Sequence, residues 1–468
     1  MPPVSGLAPK FPAQSRSAGA VAPARRVAFD LLCELRQSPQ THSDTLLRSG
    51  PVTALSAVDR NLVTALVMGV LRWEIALDER IAAASTKAQP PALPVEIALS
   101  LGALQLLMFD RIPAHAAIFE SVELAKQAGH AHAAGFVNAV LRKISSMPRL
   151  DANRSPAVSA AELARRSAHP LWLVERWAAA YGLAEASAIC RFDQYPPPVT
   201  LRLRSAQAEI ALAQEGVQLE AGEYLQGARR VVAGDVAATH AFARGWVRIQ
   251  DEASQLIAEI AAAAGAASIL DCCAAPGGKL EILAERNPQA AILACDVHPA
   301  RLRAMRARWA GREGAALISF RATDVVTASF DREFDLVLCD APCSGTGTLA
   351  RNPEIRHRLA PQDLPRQSLR QIKILSAAMR QVAAGGRIVY STCSMEAEEN
   401  EEVVQRALAA NPGFRLVPWQ EPMRELERTA VLRPGSADAL CSSASPFLRT
   451  IPGVHPCDGF FAALMLRQ

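Results

Sequence analysis

The sequence predicts a multidomain chain with an all-α N-terminal domain, a small α+β subdomain, and a C-terminal α/β domain built on a mainly parallel sheet. Three observations predict this order. Apolar residues recur at helical spacing over residues 22–145, a β-rich stretch starts at Pro196, and from residue 268 apolar runs alternate with amphipathic stretches. At 468 residues and 50% hydrophobic content, the chain can bury more than one core.

The N-terminal part begins with residues 1–21, which are rich in Pro, Ala and Ser and predict a disordered tail. This stretch lacks the continuous apolar core of a secretion signal, and no segment predicts a membrane span. Val27, Leu31 and Leu35 then start the helical spacing. We predict these boundaries: helical domain 22–145, linker 146–165, α+β subdomain 166–245, and catalytic domain 246–468.

The first strand of the predicted subdomain carries two arginines. Alternation along Thr200–Arg204 places Arg202 and Arg204 on one face of the strand. They would either bind phosphate or form a solvated edge, and the pattern favours neither.

The C-terminal domain repeats one pattern, in which an apolar strand ends in a carboxylate. Asp296, Asp324 and Asp340 are such ends, whereas the strand Ser268–Asp271 runs into a Pro-Gly-Gly turn and a helix. Ligands of doubly wound sheets bind beyond the carboxyl ends of the strands, and glycine lets the backbone approach them. The pattern predicts a cofactor pocket with Asp296 at the ribose, Asp324 near the adenine and Asp340 nearest the chemistry.

Two cysteines suggest covalent chemistry in this domain. Cys343 and Cys393 each follow an apolar strand-like run, and each precedes a serine. A thiolate can add to C6 of a cytosine ring and make C5 nucleophilic toward a methyl donor. The chemistry alone does not choose which cysteine attacks.

Three segments of the domain carry a family resemblance. They resemble the signature motifs of S-adenosylmethionine-dependent RNA cytosine-5 methyltransferases, in particular the bacterial 16S ribosomal RNA type, RsmB. The segments are Cys273-Ala274-Ala275-Pro276-Gly277-Gly278-Lys279, Asp340-Ala341-Pro342-Cys343-Ser344-Gly345 and Thr392-Cys393-Ser394, with further matches at Gln250–Gln255, Arg351–Ile355 and Asp458–Phe461.

The resemblance implies a Rossmann-like methyltransferase with S-adenosyl-L-methionine as cofactor. It implies Cys393 as the nucleophile, Cys343 as an aid to product release, and Asp340 as a contact to the cytosine edge beside the cofactor. The cofactor would lie against the backbone of Cys273, Ala274, Ala275, Pro276, Gly277, Gly278 and Lys279, with Asp296 and Asp324 at its nucleoside end.

The N-terminal domain resembles the RNA-binding fold of the antitermination factor NusB, and the α+β subdomain by family likeness would be RNA-recognition-like. The resemblance to NusB lies in four short segments: Ala24–Ala28, Asp59–Val63, Gly69–Arg72 and Phe136–Arg142. The whole charge surplus of four also lies in the first 150 residues, which favours phosphate contact there only weakly.

The expected function is therefore methylation of C5 of a cytosine in 16S ribosomal RNA, either free or within a small-subunit assembly intermediate. Alternatives are the same chemistry on transfer RNA or another ribosomal position, and a non-catalytic RNA-binding assembly factor. With ten cysteines but no Cys-x-x-Cys pair and no His cluster, the sequence predicts reduced thiols, a cytoplasmic location and no metal site. It predicts no membrane association and no obligate protein partner.

Overall fold

The fold was analysed in a computed structural model, which describes residues 21–468 except 39, 86–88, 152–156, 311–313 and 442–444. Most of the predicted disordered tail thus lies outside the described residues. The chain divides into two units, each with its own core. The first unit contains the chain up to Tyr195 together with Ala350–Arg358, and the second contains Pro196–Leu349 and Leu359–Gln468.

The first unit is helical in every described element. Its helices are α1 (Pro23–Gln37), α2 (Ser43–Leu46), α3 (Gly50–Thr53), α4 (Ala57–Ala84), α5 (Leu93–Met108), α6 (Ala114–Ala125), α7 (Ala134–Ile144), α8 (Ala160–Arg166), α9 (Leu171–Tyr181), α10 (Leu183–Asp193) and, from the later segment, α16 (Ile355–Arg358).

The core of this unit follows from the apolar spacing of the long helices. Helix α4 starts at a serine cap, because the Oγ of Ser56 accepts a hydrogen bond from the Asp59 amide at 3.1 Å. Helix α5 is apolar around its whole circumference and is correspondingly buried. Gly102 lets α7 approach α5 closely, since a Cβ at this position would lie 2.5 Å from a Leu141 methyl carbon.

Helix α8 begins inside the range predicted as linker. The Oγ of Ser159 accepts a hydrogen bond from the Glu162 amide at 3.2 Å, and this Ser-x-x-Glu spacing is a helix-start signal. Helices α9 and α10 also belong to the first unit, which reaches Tyr195.

The later segment Ala350–Arg358 is part of the core of the first unit. The Arg356 side chain is fully buried, and its guanidinium donates hydrogen bonds to the carbonyl oxygens of Arg72 at 3.1 Å and Ala168 at 3.3 Å. The carboxylate of Glu354 accepts hydrogen bonds from the amide and hydroxyl of Ser43, at 3.1 and 2.9 Å. A sequence-distant segment thus satisfies buried polar groups of the helical unit.

The second unit contains both sheets. Its elements are β1 (Thr200–Leu203), α11 (Ala206–Gln214), β2 (Gln218–Ala221), β3 (Ala228–Ala233), α12 (His240–Ala243), β4 (Val247–Ile249), α13 (Glu252–Ala262), β5 (Ser268–Asp271), α14 (Gly278–Arg286), β6 (Ala291–Asp296), α15 (Pro299–Trp309), β7 (Ile318–Ala322), β8 (Phe334–Asp340), α17 (Asp363–Met379), β9 (Val382–Thr392), α18 (Glu401–Ala410), β10 (Phe414–Val417), α19 (Gln420–Arg428), α20 (Ser436–Leu440), β11 (Leu448–Thr450) and β12 (Phe460–Arg467).

The smaller sheet is antiparallel, in the order β2-β3-β1-β4, and packs its apolar face on α11 through residues such as Leu201 and Leu212.

The two arginines at the predicted β1 strand form ion pairs within the second unit. Arg202 is buried, and it forms an ion pair with Glu285 that Arg204 joins at 2.8 Å. The structure therefore gives these arginines a carboxylate partner, which neither sequence interpretation foresaw.

The larger sheet has the order β10-β12-β9-β8-β5-β6-β7, with β11 paired to β12. Strands β5 to β9 run parallel, while β10, β11 and β12 add antiparallel pairs at one side. The parallel strands therefore direct the chain after β5, β6, β8 and β9 to the same edge. In the described part of the chain, no helix is long and apolar enough to cross a membrane.

We expect Arg356→Ala to destabilise the helical unit, because three main-chain carbonyl oxygens, including that of Asp193, lose a buried donor. Removing one partner from a buried charged network costs about 3 kcal/mol of unfolding free energy. Thermal unfolding of the full chain would measure this loss. The control is Arg48→Ala, whose side chain is 78% exposed and pairs with Asp44 on the surface; we expect a change within about 0.5 kcal/mol. Equal transition temperatures for the two variants would contradict the expectation.

Candidate active site

Two strand ends bring the predicted cysteines together. In the parallel pair β8 and β9, Asp340 lies opposite Ser391. The loops that follow carry Cys343 and Cys393, which are 50 positions apart in sequence, and their Sγ atoms lie 3.4 Å from each other. This is hydrogen-bond distance for two sulfur atoms, so one thiol can donate its proton toward the other sulfur.

Cys343 can act as the donor in this pair. The hydrogen bond to Cys393, burial, and the negative charges of Cys393 and Glu399 raise the pKa of the Cys343 thiol well above its ordinary value. Cys343 therefore remains a neutral thiol at neutral pH. A neutral S–H group directed at the neighbouring sulfur stabilises negative charge on that sulfur.

Asp340 is held between a lysine and a serine. One carboxylate oxygen lies 2.6 Å from Nζ of Lys279, and the other accepts a hydrogen bond from the Ser391 hydroxyl at 2.7 Å. Lys279 also lies over the ring of Phe460, with 5.1 Å between Nζ and the ring centroid. The structure thus links the Gly-rich motif, the first cysteine motif and the C-terminal Asp-Gly-Phe-Phe motif at one place.

A cavity of about 150 Å³ lies next to Asp340. The backbone turns there between β5 and α14, and Gly277 adopts a left-handed φ of 94° that favours glycine. The lining residues are Arg248, Ile249, Gln250, Ser254, Asp271, Cys273, Ala274, Ala275, Pro276, Gly277, Gly278, Lys279 and Asp340. All seven residues of the predicted cofactor motif therefore line one cavity.

Asp271 lines this cavity and was not singled out from the sequence. It is 1% exposed, and among the described residues no side-chain donor reaches either carboxylate oxygen, while the Cys273 amide lies near enough to lower its pKa. Burial and the negative charge of Asp340 raise its pKa to about 7. A buried carboxyl group in a cavity matches a cationic ligand group, such as the amino group of a methionine moiety. The sequence pattern could have identified Asp271, because this residue ends an apolar strand just as Asp296 and Asp340 do.

Two predicted cofactor residues do not line this cavity. The carboxylate of Asp296 accepts hydrogen bonds from the amides of Ala275 at 3.2 Å and His298 at 2.8 Å, so it supports the cofactor motif from one side. Asp324 is exposed and accepts a hydrogen bond from the Val326 amide at 2.9 Å. Their contacts to ribose and adenine stay predictions.

The cysteine loops also meet the start of β12. The Gly347 amide donates a hydrogen bond to the Cys393 carbonyl oxygen at 2.9 Å, and the Gly459 amide donates one to the Gly347 carbonyl oxygen at 2.7 Å. A Cβ at Gly347 would collide with the carbonyl oxygen of Gly459. Glycine is therefore required there by a close backbone approach.

Comparison with known proteins identifies the family. The family described as 16S rRNA methyltransferase RsmB/F matches residues 260–466. A relative from Bacillus subtilis (strain 168), named probable ribosomal RNA small subunit methyltransferase B, is 36% identical over 95% of this chain and 98% of its own length. The chain belongs to the RsmB/F family of methyltransferases. A Pseudomonas putida relative, ribosomal RNA small subunit methyltransferase B, is 35% identical over 76% of this chain and 83% of its own length.

The other parts of this RsmB/F-family chain match as well. The NusB family matches residues 22–146, and the RsmF/B-like ferredoxin-like domain matches residues 169–232. The crystal structure of PH0851 covers 95% of this chain and 99% of its own, with a TM-score of 0.77 and 23% identity, which shows the fold. The predicted fold class and S-adenosyl-L-methionine as the cofactor of the family are confirmed.

We expect Gly347→Ala to lower the unfolding free energy by about 2 kcal/mol, because the added methyl group forces two backbone segments apart. The matched control is Gly413→Ala, since a Cβ there meets nothing within 4 Å; its effect should stay within about 0.5 kcal/mol. Urea unfolding of both variants measures the difference. Unfolding at the same urea concentration in both would contradict the crowding at Gly347.

Proposed function

We propose that this chain transfers a methyl group from S-adenosyl-L-methionine to C5 of a cytosine in 16S ribosomal RNA, through a covalent bond between Cys393 and C6. The observation that carries the proposal is the pair of Sγ atoms 3.4 Å apart. Asp340 joins this pair to the cofactor cavity, because it lines the cavity and its strand leads directly into the Cys343 loop.

In the proposed reaction, the Cys393 thiolate adds to C6 while Asp340 holds the polar edge of the cytosine. The addition makes C5 a carbon nucleophile, and the cofactor supplies an electrophilic methyl group on a sulfonium. Water or another base then takes up the C5 proton, and the C5–H electron pair restores the ring double bond as the C6–S bond breaks and its electron pair returns to Cys393. The neutral Cys343 thiol, 3.4 Å away, donates a hydrogen bond to the leaving sulfur and so assists release.

Cys393 rather than Cys343 is assigned as the nucleophile because the motif around Cys393 resembles the nucleophile motif of RNA cytosine-5 methyltransferases. The cofactor would lie against the backbone of Cys273–Lys279, with its amino group at Asp271, its ribose at Asp296 and its adenine at Asp324. The assignment of the amino group to Asp271 is supported by chemistry, since this buried carboxyl has no cationic partner at ion-pair distance among the described residues.

The substrate assignment rests on the relatives, two of which are named as small-subunit ribosomal RNA methyltransferases. A NusB-like and a ferredoxin-like domain accompany the catalytic domain, as expected for an enzyme that must hold a structured RNA. The target cytosine must leave its stack to reach a pocket at a sheet edge, so we propose a loop or exposed strand as its context. Whether free RNA or an assembly intermediate carries it is decided by experiment.

The roles of the two cysteines are tested with unmodified 16S RNA, small-subunit particles and labelled S-adenosylmethionine. We expect wild type to form 5-methylcytosine at one position, mapped by bisulfite sequencing. Cys393→Ala should form none, because the covalent step is lost. Cys343→Ala should accumulate a protein–RNA adduct that survives denaturing gels, because elimination is slowed.

The control is Cys190→Ala, a buried cysteine of the helical unit, which should methylate at the wild-type rate. An active Cys393→Ala variant would refute the assigned nucleophile. If wild type binds RNA but methylates neither RNA nor particles, the substrate assignment fails and a non-catalytic binding role gains support. Methylation of transfer RNA alone would keep the chemistry and replace the substrate.

The Asp271 assignment predicts a pH dependence of cofactor binding. The pKa of Asp271 is raised to about 7, so its carboxylate, which binds a cation, forms as the pH rises through that value. S-adenosylmethionine should therefore bind more tightly at about pH 7.5 than at about pH 6. Asp271→Asn should weaken binding about tenfold at the higher pH and flatten this dependence.

Isothermal titration calorimetry of the full chain measures both effects. Asp438→Asn is the control, because its side chain is 86% exposed and pairs with Arg424 on the surface. The same pH profile in Asp271→Asn and in wild type would show that another group holds the cofactor cation.

A further inference from the structure

A buried glutamate connects the two cysteine loops. Glu399 ends a 3-10 turn, Ala397–Glu399, and is 0% exposed. Its Oε1 accepts hydrogen bonds from the Ser344 amide at 2.8 Å and from Nε2 of Gln371 at 2.9 Å. Its Oε2 accepts hydrogen bonds from the hydroxyls of Ser344 and, at 2.5 Å, of Ser394. Each oxygen thus has two donors, which fills the acceptor capacity of a carboxylate.

The two serines that hydrogen-bond to Glu399 are each the next residue after one of the two cysteines. Ser344 directly follows Cys343, and Ser394 directly follows Cys393. The serine hydroxyls also lie 3.2 Å from each other. A single side chain therefore fixes the residue after each thiol, and through the backbone it limits how far the two sulfur atoms can separate.

Other contacts hold the carboxylate itself in place. The Tyr390 hydroxyl donates a hydrogen bond to the Glu399 carbonyl oxygen at 2.6 Å, and Nε2 of Gln371 also donates to the Pro342 carbonyl oxygen at 2.9 Å. The next residue, Asn400, donates to the Ser394 carbonyl oxygen at 2.9 Å. Within the described residues no ion pair involves Glu399, so hydrogen bonds compensate for the burial of its carboxylate.

We propose that Glu399 is a positioning residue, which holds the thiols of Cys343 and Cys393 at reacting distance by clamping Ser344 and Ser394. Glu399 does not line the cofactor cavity and does not contact either sulfur in the described network. Its role in catalysis rests on the proposed function, whereas its role in holding the thiols together does not. The negative charge of Glu399 also helps to keep Cys343 protonated, consistent with a thiol that assists release.

The spacing of the thiols can be measured without RNA or cofactor. The azo oxidant diamide takes two electrons and two protons from a pair of thiols, which become a disulfide while diamide becomes a hydrazine. Mass spectrometry of digested protein then gives the rate at which the Cys343–Cys393 disulfide forms. This rate depends on the thiolate fraction and on how often the two sulfur atoms approach each other. Because Glu399→Ala and Glu399→Gln both remove the charge of Glu399, the difference between these two variants reports the approach of the sulfur atoms.

We expect Glu399→Ala to slow formation of this disulfide by at least about tenfold, since the loops lose their common anchor. Glu399→Gln keeps the side-chain length and can still hydrogen-bond both serines, so it should restore most of the rate. The matched control is Glu402→Ala, whose side chain is 42% exposed and pairs with Arg406 in the next helical turn; it should oxidise like wild type.

The serines provide a second test in case Glu399→Ala does not fold. Ser344→Ala combined with Ser394→Ala removes both hydroxyl hydrogen bonds to Glu399 but keeps the one from the Ser344 amide, so it should also slow the disulfide, though less than Glu399→Ala does. If Glu399→Ala, folded by circular dichroism, or the double serine variant oxidises at the wild-type rate, the proposal is overturned.

The catalytic consequence is measured separately. We expect kcat of Glu399→Ala to fall about 100-fold with little change in KM for S-adenosylmethionine, because misplacement by about 1 Å costs this much. If wild type methylates no RNA while the oxidation rates follow the expected order, the proposed function fails and the clamp stands. If wild type methylates RNA and Glu399→Ala does so at the same kcat, the positioning role is refuted and the proposed function stands.

Discussion

The parallel pairing of β8 with β9 is the constraint on which the site depends. Its hydrogen-bond register sets Asp340 opposite Ser391, so both strands end at the same height on one sheet edge. Only short loops then separate these ends from Cys343 and Cys393. β5 pairs with β8 on the other side, which brings Asp271 and the turn of the cofactor motif to the same edge. Three remote sequence motifs therefore become neighbours through two adjacent ladders of backbone hydrogen bonds.

This arrangement concentrates acidic groups where the chemistry is proposed. Asp271 and Asp340 both line the cavity, and Lys279 forms an ion pair with Asp340. Because the folded-state pKa of Asp271 is raised, the stability linked to this group is present at low pH and is lost as the pH rises through about 7. A ligand cation would offset that loss at neutral pH. The site is thus less stable alone than with a cationic partner, a common property of binding sites.

Much of the fold and part of the site could be predicted from local sequence. Apolar runs ending in Asp296 and Asp340 predicted the parallel sheet, and a family motif predicted the residues that line the cavity. Glu399 could not be found this way. It lies among Glu396, Glu398, Glu401 and Glu402, and a cluster of acidic residues is typical of a solvent-exposed surface. Glu396 is buried as well, so what distinguishes Glu399 is its set of hydrogen bonds to two sequence-distant loops.

The segment Ala350–Arg358 illustrates the same limit on a larger scale. Its residues Arg351–Ile355 match the family after the first cysteine, and they lie within the predicted catalytic domain, residues 246–468. The structure instead includes the segment in the helical unit, where Arg356 and Glu354 satisfy buried polar groups. Without the other residues of the helical unit, the Arg356 guanidinium and the Glu354 carboxylate would lose these hydrogen-bond partners. The helical unit is therefore needed to hydrogen-bond the buried polar groups of Ala350–Arg358, in addition to any role in binding RNA.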